Sequence, residues 1–271
     1  MLTLERPDGV KLAWAVRGEG PPVVLANQFF GVAETFAPLL EDLATDHRVI
    51  TYNLRGTADS TRRGPYDPMV DADDLEAIVE LAEGPALLLA FADGCNRAVR
   101  VGARRPELVT AIVSPAGNPV GLAAVEGTDA LAGSSGVLEA LLGMMSTDYR
   151  GALRTMFSTA NPDWDEESVR LRVASTVEIL PQEAALPRLQ GWIADDVTEE
   201  ARAVGERLWM LEDGTNPWFP IEVARQTSRI LPDAHILEVE DGAISRPDIA
   251  AGIIRRLTAG AAVEARGERA V

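Results

Sequence analysis

The residues from Leu87 to Cys95 read as a short apolar strand, Leu87-Leu88-Leu89, that runs into a tight turn with small residues on either side. A helix-like segment follows through Val99 and Ala103. In a G-x-S-x-G turn of this shape a serine sits at the tip, where backbone strain exposes its hydroxyl for attack on a carbonyl. Here Ala90 and Gly94 hold the flanking positions and Ala92 holds the tip. A methyl group cannot attack a carbonyl, so serine acyl transfer is not expected at this turn. Asp93 follows the tip and is either a base or a solvated turn residue. Cys95 is the nearest thiol, but one position past the glycine it is expected to pack beneath the turn as a small apolar residue. His47 lies just before a strand and His235 begins the last one; the ordinary reading of each is a surface or structural histidine.

The elements that must position this turn alternate along the chain. Leu2-Thr3-Leu4 and Leu12 to Val16 form short strands around Pro7-Asp8-Gly9, and Val23 to Ala26 is an apolar run suited to a buried parallel strand. Helical spacing marks Glu34 to Leu43 and Asp73 to Ala82, with strands at Arg48 to Tyr52 and Val109 to Val113. From about Pro115 to Gly205 the alternation stops. Helix-like pieces (Leu138 to Met145, Tyr149 to Phe157, Glu166 to Val173) are separated there by Gly, Pro and Asn-Pro breaks. Strands at Leu208 to Leu211 and Ile236 to Val239 follow, with helices at Ile221 to Ile230 and Asp248 to Leu257. The pattern predicts an α/β fold with a mostly parallel, doubly wound sheet. Residues 1–115 and 206–258 make its core, 116–205 an inserted helical cap, and 259–271 a flexible tail.

A chain of 271 residues with a formal charge of −17 is long enough for a sizeable core, and its charge argues against nucleic acid or an anionic membrane surface as partner. One cysteine excludes an internal disulfide framework and fits a reducing compartment. The first residues show no basic region ahead of an apolar core, and no apolar run approaches the roughly 20 residues that span a bilayer. A cytoplasmic globular protein is expected, with no metal and no cofactor required.

The order of these elements resembles the α/β-hydrolase superfamily, and so do several stretches. They are Asp8-Gly9, Gly18-Glu19-Gly20-Pro21-Pro22, Asn53-Leu54-Arg55-Gly56 and Arg104-Arg105-Pro106-Glu107-Leu108-Val109. The resemblance implies an α/β-hydrolase fold and three catalytic slots. Aligning on Pro217 and Pro220 puts Asn216 where the family carries its acid, and counting from Ala234 puts Ile244 in the histidine slot. The His-Gly pair after the third strand becomes Asn27-Gln28. With Ala92 at the tip, all three slots are degenerate. The backbone donors of the family's oxyanion hole survive such losses; here they would be the amides of Asp93 and of Gln28 or Phe29. Around them Phe29, Phe30, Phe91, Trp218, Phe219 and Ile244, with Asn27, Ala92 and with Met144 and Met145 from the cap, are expected to bind a large, partly apolar ligand.

Among members with a dismantled triad the chain is similar to the bottromycin epimerases of peptide natural-product biosynthesis. That similarity implies epimerisation at an aspartate Cα beside a thiazoline in a modified peptide, with the substrate's own carboxylate as one source of the base. Two other readings stay open: a catalytically inactive protein binding a peptide or an apolar small molecule, and a hydrolase or lyase built on Asp93.

Overall fold

The computed structural model describes residues 1–28, 30–121, 135–212, 221–239 and 247–265. Among the described residues eight strands form one sheet: β1 (Leu2–Glu5), β2 (Lys11–Arg17), β3 (Pro22–Ala26), β4 (Arg48–Tyr52), β5 (Ala86–Ala90), β6 (Val109–Pro115), β7 (Leu208–Glu212) and β8 (His235–Glu238). Their order is β1-β2-β4-β3-β5-β6-β7-β8. β1 and β2 pair antiparallel, β2 also runs antiparallel to β4, and the remaining neighbours are parallel. This is the predicted mostly parallel, doubly wound sheet.

Alternation along the central strand sends side chains into two layers. Leu88 and Ala90 of β5 join the core with α2 (Pro68–Glu80) and α3 (Gly94–Arg104), while Leu87 and Leu89 join the layer with α1 (Ala37–Leu43) and α10 (Pro247–Ala265). Every residue of β5 is buried, as a central strand covered on both faces requires. Between β6 and β7 lie α4 (Ser135–Thr147), α5 (Tyr149–Ala160), α6 (Glu166–Ile179), α7 (Gln182–Ile193) and α8 (Thr198–Val204); α9 (Ile221–Ile230) precedes β8.

Several boundaries differ from the sequence expectation. The helix expected from Glu34 begins as a 3-10 turn over Ala33–Phe36, and α1 starts at Ala37, because Pro38 has no N–H and suits a first turn. α2 starts at Pro68 rather than Asp73. Asp67 caps it by accepting from the amides of Met69 and Val70 at 3.0 Å, a start signal that the apolar spacing alone does not show. α7 and α8 lie within the stretch read as a helical cap but beyond its three singled-out pieces, α7 carrying Pro187 in its interior. α10 continues past Thr258 to Ala265. No helix among the described residues is long and apolar enough to cross a membrane.

Candidate active site at the strand-to-helix turn

At the end of β5 the chain turns sharply into α3, and the elbow geometry is present. Ala92 has φ +47°, a conformation that costs an L-residue roughly 1–2 kcal/mol. Backbone bonds hold it there: Phe91 N–H donates to the Ala26 carbonyl at 3.1 Å, Ala92 N–H to Pro115 at 3.3 Å, and Cys95 N–H back to Ala92 at 3.0 Å. Gly94 lies against β3 so closely that a Cβ would stand 2.1 Å from the Ala26 carbonyl oxygen. The turn therefore requires glycine at that position.

Asp93 is buried, and its carboxylate pairs with the Arg97 guanidinium one turn along α3, at 2.5 Å. A second Arg97 nitrogen donates to the Asn27 carbonyl just after β3. Arg97 thus ties together the two backbone segments that would carry an oxyanion hole. Asn27 is buried, its Oδ1 without a partner among the described residues; Gln28 is half-buried, and its carbonyl accepts from Gly31 N–H at 3.2 Å.

A small cleft opens beside this pair, with about 20 Å³ for a water's centre, room for one water. Asp71, Asp93, Asn96, Arg97, Arg188 and Asp195 line it, with Pro68 and Trp192 as its apolar walls. Arg188 of α7 clamps Asp71 of α2 through two bonds of 2.7 and 2.9 Å and donates to the Arg55 carbonyl at 2.6 Å. Arg100 clamps Asp195, and Asn96 Nδ2 donates to the same carboxylate at 3.0 Å. Behind them Arg55 pairs with Asp74 at 2.7 and 2.9 Å and with Asp8 at 2.8 Å. Tyr52 is buried near these charges, its hydroxyl without a partner among the described residues, and burial raises its pKa.

The other chemical candidates are remote or inert. Burial pushes the Cys95 thiol up to about 12, and the residue is fully enclosed. His47 is bonded to Asp46 at 2.6 Å and to Thr258 at 2.9 Å. It precedes β4 at the end of the sheet away from the turn. The register places the Arg48 row level with Ala86, so six residues of strand, about 20 Å, separate it from Ala92. His235 stacks on Trp209 with ring centroids 3.9 Å apart, three strands across from β5. Among the described residues no group of three or more His, Cys, Asp or Glu could hold a metal.

Of the apolar lining expected around the tip, Phe91 turns away from it. Phe91 is 1% exposed and stacks on Phe36, centroids 3.6 Å apart, in the layer beneath the sheet with α1. It turns away because it continues the alternation of Leu87 and Leu89. Met145 is fully buried in the opposite core, with Met144 and Phe30 packed partly buried against it. Phe29, Asn216, Trp218, Phe219 and Ile244 lie outside the described residues. Arg97, Asn96, Asp71, Arg188 and Asp195 were not anticipated. Their signal was present in part, since Asp93 and Arg97 stand four residues apart at the start of α3.

The chain matches the alpha/beta hydrolase fold family over residues 21–243. Among solved structures it is similar to an esterase from Exiguobacterium antarcticum (15% identity, 94% of this chain and 98% of that one, TM-score 0.79). It is also similar to a bromoperoxidase from Bacillus anthracis (17%, 91% and 92%, TM-score 0.71). An alpha/beta hydrolase from Sphaerobacter thermophilus is a third (22%, 94% and 99%, TM-score 0.67). At these identities the likeness is one of fold. No curated protein sequence matches the chain.

Proposed function

The chain belongs to the alpha/beta hydrolase fold family, and from that premise we propose that it is a non-hydrolytic member: an epimerase or isomerase that removes and returns a proton beside a carbonyl. The observation that carries this reading is the Asp93–Arg97 pair set immediately after a methyl-bearing tip. A carboxylate at that position lies next to the backbone donors that the fold directs at a developing oxyanion. A base beside oxyanion donors, without a nucleophile, suits enolate chemistry. The substrate we assign is a partly apolar molecule such as a modified peptide, aspartate beside a thiazoline being the variant suggested by the bottromycin epimerases. No cofactor is needed for such a step, and the reading calls for neither nucleic acid nor a membrane as partner.

The test is solvent exchange. Thiazoline- and aspartate-containing peptides are incubated with the protein in heavy water, and deuterium at Cα is read by mass spectrometry. Uptake that depends on the protein and falls about a hundredfold in Asp93→Asn is expected; no uptake above the uncatalysed rate overturns the reading. A second reading is favoured by the hydrolases and esterases among the structural relatives: Asp93 activating water in a hydrolase or lyase. Cleavage products carrying ¹⁸O from labelled water would select it. Saturable binding with neither exchange nor cleavage would leave a ligand-binding protein.

A further inference from the structure

Among the described residues, every buried or half-buried arginine except Arg172 of α6 meets either a carboxylate or two backbone carbonyls. Where no carboxylate is present, carbonyls take its place. Arg48 donates to Leu81 and Ala82 at 3.2 and 3.0 Å, and Arg207 to Val109 and Gly102 at 2.9 and 3.1 Å. Arg172 is half-buried and has neither. Its polar contact among the described residues is the Thr35 hydroxyl at 3.5 Å, the outer limit of a hydrogen bond. Burial lowers its pKa, and no carboxylate among the described residues opposes the shift, not even Glu34 beside Thr35. In a chain of formal charge −17 this is an uncompensated cation.

The guanidinium is nonetheless held in place. Its carbon lies over the Phe157 ring of α5, 5.4 Å from the centroid, a contact that uses the face of the group and consumes no N–H. The donors along its edge stay available, and ligand can approach them, because Thr35 is exposed and Arg172 only half covered. The place also matters. The Thr35 hydroxyl lies against Gly31, where an added Cβ would stand 3.4 Å from it, and Gly31 N–H donates to the Gln28 carbonyl. Gln28 belongs to the loop after β3, where the second oxyanion donor is expected. Thr35 also precedes Phe36, whose ring stacks on Phe91 beside the tip. A cation carried by the cap therefore reaches the outer side of the elbow's own loop.

The charge balance decides what group fits. One guanidinium compensates one negative charge, and its planar fork of N–H groups matches a planar carboxylate. A phosphate dianion would bring surplus negative charge to a chain that already carries −17. We propose that Arg172 anchors a carboxylate of the ligand at the rim of the elbow site, with the Thr35 hydroxyl as an additional donor. This names a carboxylate-bearing molecule as the substrate class. It rests on the proton-transfer reading for the reaction that follows, while the binding chemistry is read independently of it.

The test titrates the full-length protein at constant ionic strength with N-acetyl-aspartate methylamide, its asparagine isostere and N-acetyl-phosphoserine methylamide. Dissociation constants are read by ligand-observed NMR. The aspartate compound should bind about tenfold more tightly than the asparagine one, as a charge-assisted pair at a half-exposed site allows. Arg172→Gln should bring the two within about twofold, and Arg172→Lys, which keeps the charge but loses the fork, should retain only part of the preference. Equal binding of aspartate and asparagine compounds, or a preference that survives Arg172→Gln, overturns the proposal. Tighter binding of the phosphoserine compound would make this a phosphoryl site and also overturn it, as would no saturable binding of any of the three. If neither variant folds, phenylglyoxal labelling of the wild-type chain decides by peptide mapping. Arg172 should be labelled, and protected by the aspartate compound but not by the asparagine one; absent or equal protection overturns the proposal. A carboxylate preference without Cα exchange in heavy water would remove the proton-transfer reading and leave the anchor standing; exchange without that preference would do the reverse.

Discussion

Placing a serine at the tip tests whether this scaffold has lost only a nucleophile or the whole catalytic relay. Ala92→Ser adds one hydroxyl to a residue that already holds φ +47°, so the elbow should accept it without rearrangement. A working serine needs a base within about 3.2 Å of its Oγ. His47 is about 20 Å away along the strands, by six residues at 3.3 Å each, and is held by Asp46 and Thr258. His235 lies on the row of Leu89. It is therefore three residues back and three strands across, roughly 10 Å by 14 Å, or about 17 Å in a straight line. These are the chain's two histidines. A serine without its histidine loses roughly a millionfold in kcat, leaving the roughly thousand- to ten-thousandfold acceleration over water that oxyanion donors and binding supply. Ala92→Ser should thus show no saturable turnover of p-nitrophenyl butyrate and no acyl-serine by intact-mass spectrometry after minutes of incubation. Turnover within about a hundredfold of a working serine esterase would refute the reasoning, because some other group would have to reach the tip as base.

The ion pair at the turn should dominate local stability: Asp93→Asn or Arg97→Met alone should cost about 3–5 kcal/mol in urea unfolding, and the double variant less than their sum. Cys95, with its thiol pushed up to about 12 and enclosed, leaves roughly one thiolate in ten thousand at pH 8. It should resist Ellman's reagent in the native protein and react at once when unfolded. The Asp196 carboxyl is held below its ordinary value of 3.8 by the Thr198 hydroxyl and amide and by Gly121 N–H. A native pKa below the unfolded one means that its contribution is complete above about pH 4 and is lost as pH falls through the native value. Asp196→Asn should therefore flatten the acid limb of the stability profile measured by chemical denaturation, and leave the slope above pH 5 unchanged.

The sheet was legible because burial on both faces writes continuous apolar runs such as Val23-Val24-Leu25-Ala26 and Leu87-Leu88-Leu89, and no competing pattern produces them. Helix starts were less legible where a cap fixes them: nothing in the apolar spacing of Asp73 to Ala82 reveals that Asp67 and Pro68 begin the helix earlier. The elbow was legible from its small residues, but its surroundings were not. Phe91 looked like lining since it neighbours the tip, yet strand alternation sends it under the sheet onto Phe36. Arg188 and Asp195 lie about a hundred residues from the charges they meet, Asp71 and Arg100. A local pattern records no long-range pairing, so a charged cleft assembled from α2, α3 and the helices before β7 left only the Asp93 and Arg97 spacing as its trace.

Keeping the elbow is not by itself a sign of catalysis, and Gly94 shows why. The strain at Ala92 is offset by bonds from Phe91, Ala92 and Cys95 that join β3, β5, β6 and α3, so the turn is part of how the sheet connects to its helix. A chain could lose all chemistry and still be obliged to make this turn. Gly94→Ala puts a methyl carbon 2.1 Å from the Ala26 carbonyl oxygen, where only backbone can yield. Overpacking of that kind costs about 1–3 kcal/mol, and separating α3 from β3 would add the loss of the Phe91–Ala26 bond. A lowered urea midpoint is expected; a midpoint within about 0.5 kcal/mol of wild type would mean the contact is not what holds the turn. The scaffold explains the elbow whether or not the protein is an enzyme, but it does not call for Asp93 and Arg97. A buried charge pair one residue beyond the tip is costly to desolvate and is not among the backbone bonds that make the turn, so the functional reading rests on that pair.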